Sequence, residues 1–137
     1  MAYNLRNINV LDLKPSTGIG VALPFDAPGV FRTVYTTREQ LKYNIINFLL
    51  TNNRERIFNP TFGANIRSKV FEQITTNTTD ELDSLIRNGI ERYFPNVIIT
   101  NLSFGGDPNR NYLTIQFSYT INNTGETDNV IISLNGQ

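Results

Sequence analysis

Few side chains in this sequence could support catalysis. It contains neither His nor Cys, so imidazole bases, thiol nucleophiles and the usual zinc and copper ligands are missing. Two carboxylates, Glu55 and Glu72, lie on either side of a short linker, and a glycosidase needs such a pair held about 5–10 Å apart. Nothing in their spacing indicates that they meet, because Glu55 balances Arg54 and Arg56 while Glu72 ends a predicted helix. The sequence therefore predicts no catalytic residues.

The remaining acidic and glycine-rich stretches have structural interpretations. Asp80, Glu81 and Asp83 fall in the first turn of a predicted helix, where carboxylates interact favourably with the helix dipole. The "GGDP" stretch (105–108) is typical of a hairpin turn, since a phosphate-binding loop needs a following helix and usually a Lys. We expect no metal and no cofactor.

Composition limits the class of partner. The 137 residues carry 12 Lys and Arg against 12 Asp and Glu, which argues against nucleic acid. The longest apolar runs, such as "IINFLL", are far shorter than the ~20 residues that cross a bilayer, and the N-terminus lacks a signal-peptide pattern. With 19 Asn and 15 Thr, the surface has little net charge to oppose association. This composition favours a protein that is built into a larger assembly.

The N-terminal third is predicted to be irregular and then helical. Residues 1–30 are interrupted by Pro and Gly and are expected to form an extended arm, followed by a single domain over 31–137. "FRTVYT" (31–36) is a plausible strand with Phe31, Thr33 and Tyr35 on one face. A capping box of Thr37 and Gln40 then begins a helix that ends at 51–53. Its apolar face is formed by Leu41, Ile45, Phe48 and Leu49.

Two more helices and three strands follow. The second helix is predicted from Ala64 to Glu72, with Ile66 and Val70 on its inner side, and the third from Thr78 to Pro95. The third helix should bury Leu82, Leu85, Ile86, Ile90 and either Tyr93 or Phe94. Residues 96–104 should bury Ile98, Leu102 and Phe104, residues 111–121 should bury every odd residue from Leu113 to Ile121, and residues 129–134 should bury Val130, Ile132 and Leu134. Short connections make these strands an antiparallel meander, so the fold class is α+β with two or three helices on one face.

The linker "RIFNPTFG" (56–63) joins the first two helices. Asn59 and Pro60 favour a turn, and Phe58 and Phe62 are predicted to fold back under the helices. Gly63 should permit a backbone conformation closed to other residues. This makes Phe58, Pro60, Phe62 and Gly63 a structural corner.

The chain resembles a known family over roughly residues 36–134. The motif is a helix ending in Leu-Leu-Thr, then an Arg, a bulky apolar residue and Pro, and later Phe-Gly and Phe-Glu. It is matched by Leu49, Leu50, Thr51, Arg56, Phe58, Pro60, Phe62, Gly63, Phe71 and Glu72. This pattern, followed by "RYFPNV" and the meander, is similar to the baseplate wedge and sheath-initiator family of contractile-tailed bacteriophages, with relatives in type VI secretion and other contractile injection systems. "GIGVALPF" resembles the arm that often precedes that domain.

The resemblance implies a structural subunit of the tail baseplate, not an enzyme, although the family was once labelled lysozyme-like. Such a protein lies in a ring of six around the tube, assembles in the host cytoplasm and becomes part of the virion. Its expected partners are other wedge proteins, the tail sheath protein and tube or hub proteins. Many members end the long helix with Glu-Pro-Arg facing the wedge, where this chain has Phe94, Pro95 and Asn96. The expected wedge contacts are therefore Arg56, Arg87, Arg92, Pro95 and Asn96.

The last strand is the expected sheath contact. It lacks Pro and Lys, which usually protect an exposed sheet edge, so a sheath segment could pair with it by β-augmentation. The residues involved are Val130, Ile131, Ile132 and Ser133. Two alternatives remain open: the edge could be covered by the chain's own residues 31–36 or arm, and the fold could serve a small cytosolic adaptor that binds a regulatory protein.

Overall fold

The computed structural model describes residues 10–14, 16–22, 32–70 and 76–135, and these form a mixed α+β fold. Three helices lie against an antiparallel meander of three strands, and two short strands near the N-terminus form a separate ladder. The elements are β1 (Gly20–Val21), β2 (Thr33–Val34), α1 (Thr37–Leu50), α2 (Ile66–Val70), α3 (Thr76–Tyr93), β3 (Val97–Asp107), β4 (Tyr112–Ile121) and β5 (Thr127–Asn135). Within the described ranges, no helix is both long and apolar enough to cross a membrane.

The meander has the predicted order, β3-β4-β5, and β4 lies at its centre. The alternation predicted for β4 is confirmed, because every odd residue from Leu113 to Ile121 is buried against the helices. In β5, Val130, Ile132 and Leu134 are buried as predicted. These two strands supply most of the sheet's contribution to the core.

β3 differs from the prediction in its inner face and in its length, since it continues through Gly105 and Gly106 to Asp107, where a turn is predicted. Ile98, expected to point inward, is 51% exposed, whereas Val97 is buried. The register with β4 shifts between Ile99 and Asn101, which leaves Thr100 as an extra residue. Such a β-bulge reverses the alternation of inward and outward side chains. Because Leu102 and Phe104 lie after the bulge, a count in steps of two from them places Ile98 on the wrong face.

The N-cap of helix α1 lies one residue earlier than predicted. Thr36, not Thr37, is the N-cap, and its hydroxyl accepts a hydrogen bond from the Glu39 backbone N–H. Thr37 is instead held by Asp12 from the N-terminal segment, through its N–H (2.7 Å) and its hydroxyl (2.6 Å). An acidic side chain beside a helix N-terminus is favourable, so the arm itself helps to cap α1.

Helix α3 packs closely against α1 at Gly89. A Cβ at this position would lie 2.3 Å from Cζ of Phe48, so only glycine lets that ring lie against the helix. Leu82, Ile86 and Ile90 are buried as predicted. Leu85 is 41% exposed, contrary to the prediction. It lies beside the line of buried residues that are spaced four apart, and not on that line. The helix also starts at Thr76, two residues before the predicted Thr78.

The described residues of the N-terminal segment include a helical turn as well as extended chain. A 3₁₀ turn spans Val10–Leu13, and β1 pairs antiparallel with β2. Thr33 and Tyr35 share one face of this stretch, as predicted, and that face is the outer one, since Val34 between them is 1% exposed while Tyr35 is 45% exposed. Phe31 lies outside the described residues, as do Phe71 and Glu72 at the predicted end of α2.

Candidate functional site

The linker between α1 and α2 is a closed, hydrogen-bonded loop. The Arg54 N–H donates to the Pro60 carbonyl (2.8 Å), which brings the two ends of the loop together. The Glu55 carboxylate accepts from the backbone N–H (2.9 Å) and the side-chain amide (3.0 Å) of Asn52. After the loop, the Ala64 N–H donates to the Phe48 carbonyl at the end of α1 (3.1 Å). These bonds give the loop one defined conformation.

Gly63 is required where the loop returns to the helices. Its φ of 118° lies in the region that favours glycine, and a Cβ there would lie 2.4 Å from the Thr51 carbonyl oxygen. Both backbone strain and steric overlap therefore oppose any other residue.

Phe62 joins the loop to an aromatic cluster formed by Phe48, Phe62, Tyr93 and Phe94. Its ring centroid lies 5.4 Å from that of Phe48 and 5.1 Å from that of Tyr93, both in edge-to-face geometry. Phe94 packs on Phe48 at 5.9 Å, and the hydroxyls of Thr61 and Tyr93 are 3.1 Å apart. The cluster thus connects the loop with the C-terminal ends of α1 and α3.

Phe58 does not fold back under the helices, so that prediction is wrong. Its side chain is 101% exposed and that of Ile57 is 89% exposed. The contact between Arg54 and Pro60 closes the base of the loop, and the residues between them form its outer end. Sequence spacing alone does not distinguish which of the two phenylalanines enters the cluster.

The structure brings some of the predicted wedge residues together. The Arg56 guanidinium lies 3.9 Å from the Phe62 ring centroid, and that of Arg92 lies 5.4 Å from the adjacent Tyr93 ring. Pro95 and Asn96 follow directly where α3 ends. All four residues are therefore placed around the aromatic cluster.

Arg87 is not part of that group. It pairs with Asp83 at 2.8 Å and precedes Arg92 by five residues, which turns it about 140° around the helix axis. Arg54 and Arg56 form no ion pair among the described residues, whose ion pairs involve other cations.

Strand β5 has one open edge among the described residues. The Ile121 N–H donates to the Glu126 carbonyl and the Asn122 N–H donates to the Asn96 carbonyl, both at 2.8 Å. Odd residues of β4 therefore bond toward β5 and even residues toward β3. Because Ile115 is opposite Ile132, the register directs the backbone of Ile132 toward β4 and that of Ile131 toward the open edge.

The other candidate residues of β5 follow the same alternation. Val130 is opposite Phe117 and bonds toward β4, whereas Ser133, like Ile131, faces the open edge. The Ser133 hydroxyl accepts a hydrogen bond from the Tyr112 hydroxyl (3.1 Å) on the outer face of the sheet. β2, the described part of the segment that could have covered this edge, pairs with β1 instead.

The two edges of the meander differ. β3 carries the bulge at Thr100 and the consecutive Gly105 and Gly106, features that disturb an edge or weaken a strand. β5 is regular over all nine residues paired with β4. The start of β5 is held to α1, because Arg38 and Lys42 each lie 3.5 Å from the Asp128 carboxylate.

Glu55 and Glu81 are each held by a partner within the described ranges. Glu55 is occupied by Asn52, and Glu72 lies outside those ranges. Glu81 pairs with Lys69 at 3.0 Å, and both line an open cleft of about 550 Å³ with Asp80, Ser84 and Leu85. Among the described residues, no group of three or more His, Cys, Asp or Glu side chains is placed to bind a metal.

Two solved structures share this fold. A crystal structure of a candidate tail lysozyme from Geobacter sulfurreducens matches with a TM-score of 0.67 and 20% identity, over 77% of this chain and 96% of that one. A chain in the cryo-EM structure of the anti-feeding prophage baseplate, with six-fold symmetry applied, matches with a TM-score of 0.51 and 16% identity, over 78% and 75% of the two chains. At such identities, the likeness establishes the fold alone.

The family is established by the sequence match. Residues 36–126 match the family of baseplate wedge protein gp25, and the chain belongs to it. It is therefore a structural baseplate protein of a tail, a component that associates with others of the baseplate. A comparison with curated proteins gives no match.

Proposed function

We propose that this chain is an inner-wedge subunit that links the wedge to the tube-proximal hub and templates the first ring of the contractile sheath. In this proposal six copies surround the tube, and the partners are other wedge proteins, the tail sheath protein and tube or hub proteins. The subunit assembles in the host cytoplasm and remains in the virion. Membership of the baseplate wedge family supports the general role, and the open edge of β5 carries the sheath role.

The β5 edge suits a strand supplied by another chain. Asn129, Ile131 and Ser133 direct their N–H and C=O groups outward, and soluble proteins usually protect such a row with Lys, Pro or a bulge. None of these interrupts Thr127–Asn135. A sheath segment paired here would extend the meander by β-augmentation. The bulge and glycines of β3 make the opposite edge a poorer template, which gives the assembly a direction.

The wedge contact in this proposal lies at the aromatic cluster. The contact consists of Arg56, Arg92, Pro95 and Asn96. The guanidiniums of the two arginines lie over the rings of Phe62 and Tyr93. Because Phe94-Pro95-Asn96 replaces Glu-Pro-Arg, Arg92 supplies the cation from an adjacent position. Arg56→Ala should weaken incorporation into baseplates with little loss of stability. Arg87, paired with Asp83, contributes least, so Arg87→Ala is the matched control.

In this proposal the subunit is not an enzyme. Its support is the engagement of Glu55 by Asn52, which occupies one of the two carboxylates nearest the linker. Turbidity assays on purified cell walls over a broad pH range should show no clearing. Clearing that disappears in Glu55→Gln or Glu72→Gln would establish a muramidase instead.

Ile131→Pro tests the sheath template. Proline removes the N–H that faces the open edge, and edge strands tolerate this change. The variant should fold, enter baseplates and fail to start sheath polymerisation, so electron microscopy should show bare tubes on intact baseplates. Ile131→Ala, which keeps the N–H, is the matched control and should build sheaths. Full-length sheaths on Ile131→Pro particles would refute the template.

A further inference from the structure

The outer end of the loop between α1 and α2 exposes two large apolar side chains. Ile57 is 89% exposed and Phe58 is 101% exposed, and they are consecutive. Single exposed apolar residues are ordinary, but an adjacent Ile and Phe at the end of an ordered loop form a compact apolar surface. Neither side chain belongs to the core cluster. Packing within the described residues therefore gives them no role.

The loop presents these side chains in a preformed conformation. Its closing bond from Arg54 to Pro60 (2.8 Å) is supported by one from the Asn59 N–H to the Arg56 carbonyl (3.3 Å). Phe62, at its base, is held in the aromatic cluster. A rigid loop loses little conformational entropy when it binds, which favours its use as an anchor.

The exposed charges that precede this apolar pair are two arginines and one glutamate, a net charge of +1. Arg54 and Arg56 both precede the pair in the chain, Arg54 at the base of the loop and Arg56 on the Phe62 ring, and neither forms an ion pair among the described residues. The intervening Glu55 is turned back to the base of the loop, where Asn52 binds both of its oxygens. The loop therefore carries an aromatic residue and two arginines, residue types that are enriched at protein interfaces.

We propose that Ile57 and Phe58 insert into an apolar pocket rimmed by Asp or Glu side chains on a neighbouring baseplate protein other than the sheath. The pocket buries the two apolar side chains, and the carboxylates on its rim pair with Arg54 and Arg56. This inference rests on the proposed baseplate function and adds to it a second contact, formed by the loop in addition to the end of α3.

A second copy of the chain is the main competing occupant. The cleft lined by Asp80, Glu81 and Leu85 is partly acidic and partly apolar. However, Lys69 lies in the same cleft and is paired with Glu81 at 3.0 Å, so one of the two carboxylates there already has a cation partner. Charge complementarity therefore favours a different protein.

Photo-crosslinking in assembled tails tests which protein is bound. A benzophenone amino acid replaces Phe58 in the full chain, tails are irradiated, and the crosslinked peptide is identified by mass spectrometry. We expect one non-sheath baseplate protein, crosslinked in an apolar segment with Asp or Glu nearby. The same probe at Tyr35, exposed on the N-terminal segment, is the control and should give a different product. A crosslink to the sheath, to a second copy or to nothing would overturn the inference.

Incorporation of variants provides the second measurement. Phe58→Asp places a carboxylate among the proposed acidic rim and should lower the amount of subunit in purified baseplates at least tenfold, whereas Phe58→Leu should be incorporated normally. Circular dichroism should show both variants folded. Wild-type incorporation of Phe58→Asp refutes the anchor but leaves the sheath role to be judged by Ile131→Pro. Absence of the wild-type chain from purified tails would refute the proposed function itself, and the anchor with it.

Discussion

Phe62→Ala should strongly destabilise the protein. The ring is 9% exposed and packs on Phe48 and Tyr93 at 5.4 and 5.1 Å, with the Arg56 guanidinium 3.9 Å from its centroid. Truncating a buried phenylalanine costs about 3–5 kcal/mol. Because Phe62 lies at the margin of the core, we expect the lower end, about 3 kcal/mol.

Urea unfolding followed by far-UV circular dichroism measures this loss. For a chain of this size we take a urea m value of about 1.5–2 kcal/mol/M, so the midpoint should fall by about 1.5–2 M. The slope should not change, because the truncation alters stability and not the surface that unfolding exposes. The sequence contains no Trp, so circular dichroism is a better probe than indole fluorescence.

Phe58→Ala is the matched control for this measurement. It makes the same chemical change four residues earlier, at a side chain that is 101% exposed. Its free energy of unfolding should stay within about 0.5 kcal/mol of wild type, as for most surface substitutions. If Phe62→Ala unfolds at the wild-type midpoint, the loop is not packed through its ring. Equal losses in both variants would mean that the loop's conformation, and not burial of Phe62, provides the stability.

Three further predictions concern other parts of the fold. Gly89→Ala should lower stability by about 1–3 kcal/mol in the same unfolding assay, despite alanine's higher helix propensity, because its Cβ would lie 2.3 Å from Cζ of Phe48. Burial, with a smaller contribution from a nearby carboxylate, raises the pKa of Tyr119, so its protonated form is favoured in the folded state; stability should be intact below about pH 10 and fall as pH rises further. Tyr119→Phe should reduce that alkaline loss without a cost at neutral pH, because the buried hydroxyl has no hydrogen-bond partner among the described residues. Asp12→Ala removes both hydrogen bonds to Thr37 and should cost about 1 kcal/mol, with faster amide exchange near the start of α1.

The regular elements were predictable because their signals are local. In β4, Leu113, Ile115 and Phe117 alternate with polar residues, and this period of two matches a strand with one buried face. Pro95 ends α3 close to the predicted position because proline cannot continue a helix. Gly63 was identified as a special backbone position from its place beside a turn, and its φ is indeed positive.

The candidate site was only partly predictable for the opposite reason. The linker sequence alone gives no reason to bury Phe62 and not Phe58. Phe62 is buried because it packs on the rings of Phe48 in α1 and Tyr93 in α3. The exposed pair Ile57 and Phe58 could have been noticed as apolar residues in a turn-rich segment without a periodic partner. Grouping Arg56 with Arg92, and separating Arg87 from both, requires the packing of the loop against the end of α3.

The sequence by itself determined the α+β class, the order of the meander and the family, because hydrophobic period, turn residues and motif spacing depend on neighbours along the chain. Only the tertiary structure decided that Thr36 and not Thr37 is the N-cap of α1, since Thr37 is bound by Asp12, which is 25 residues away in the sequence. It also decided the side on which Ile98 lies, through a bulge in the pairing with β4. Which backbone groups of β5 face outward likewise depends on that strand's register. These features depend on contacts between residues far apart in sequence, so local sequence patterns do not predict them.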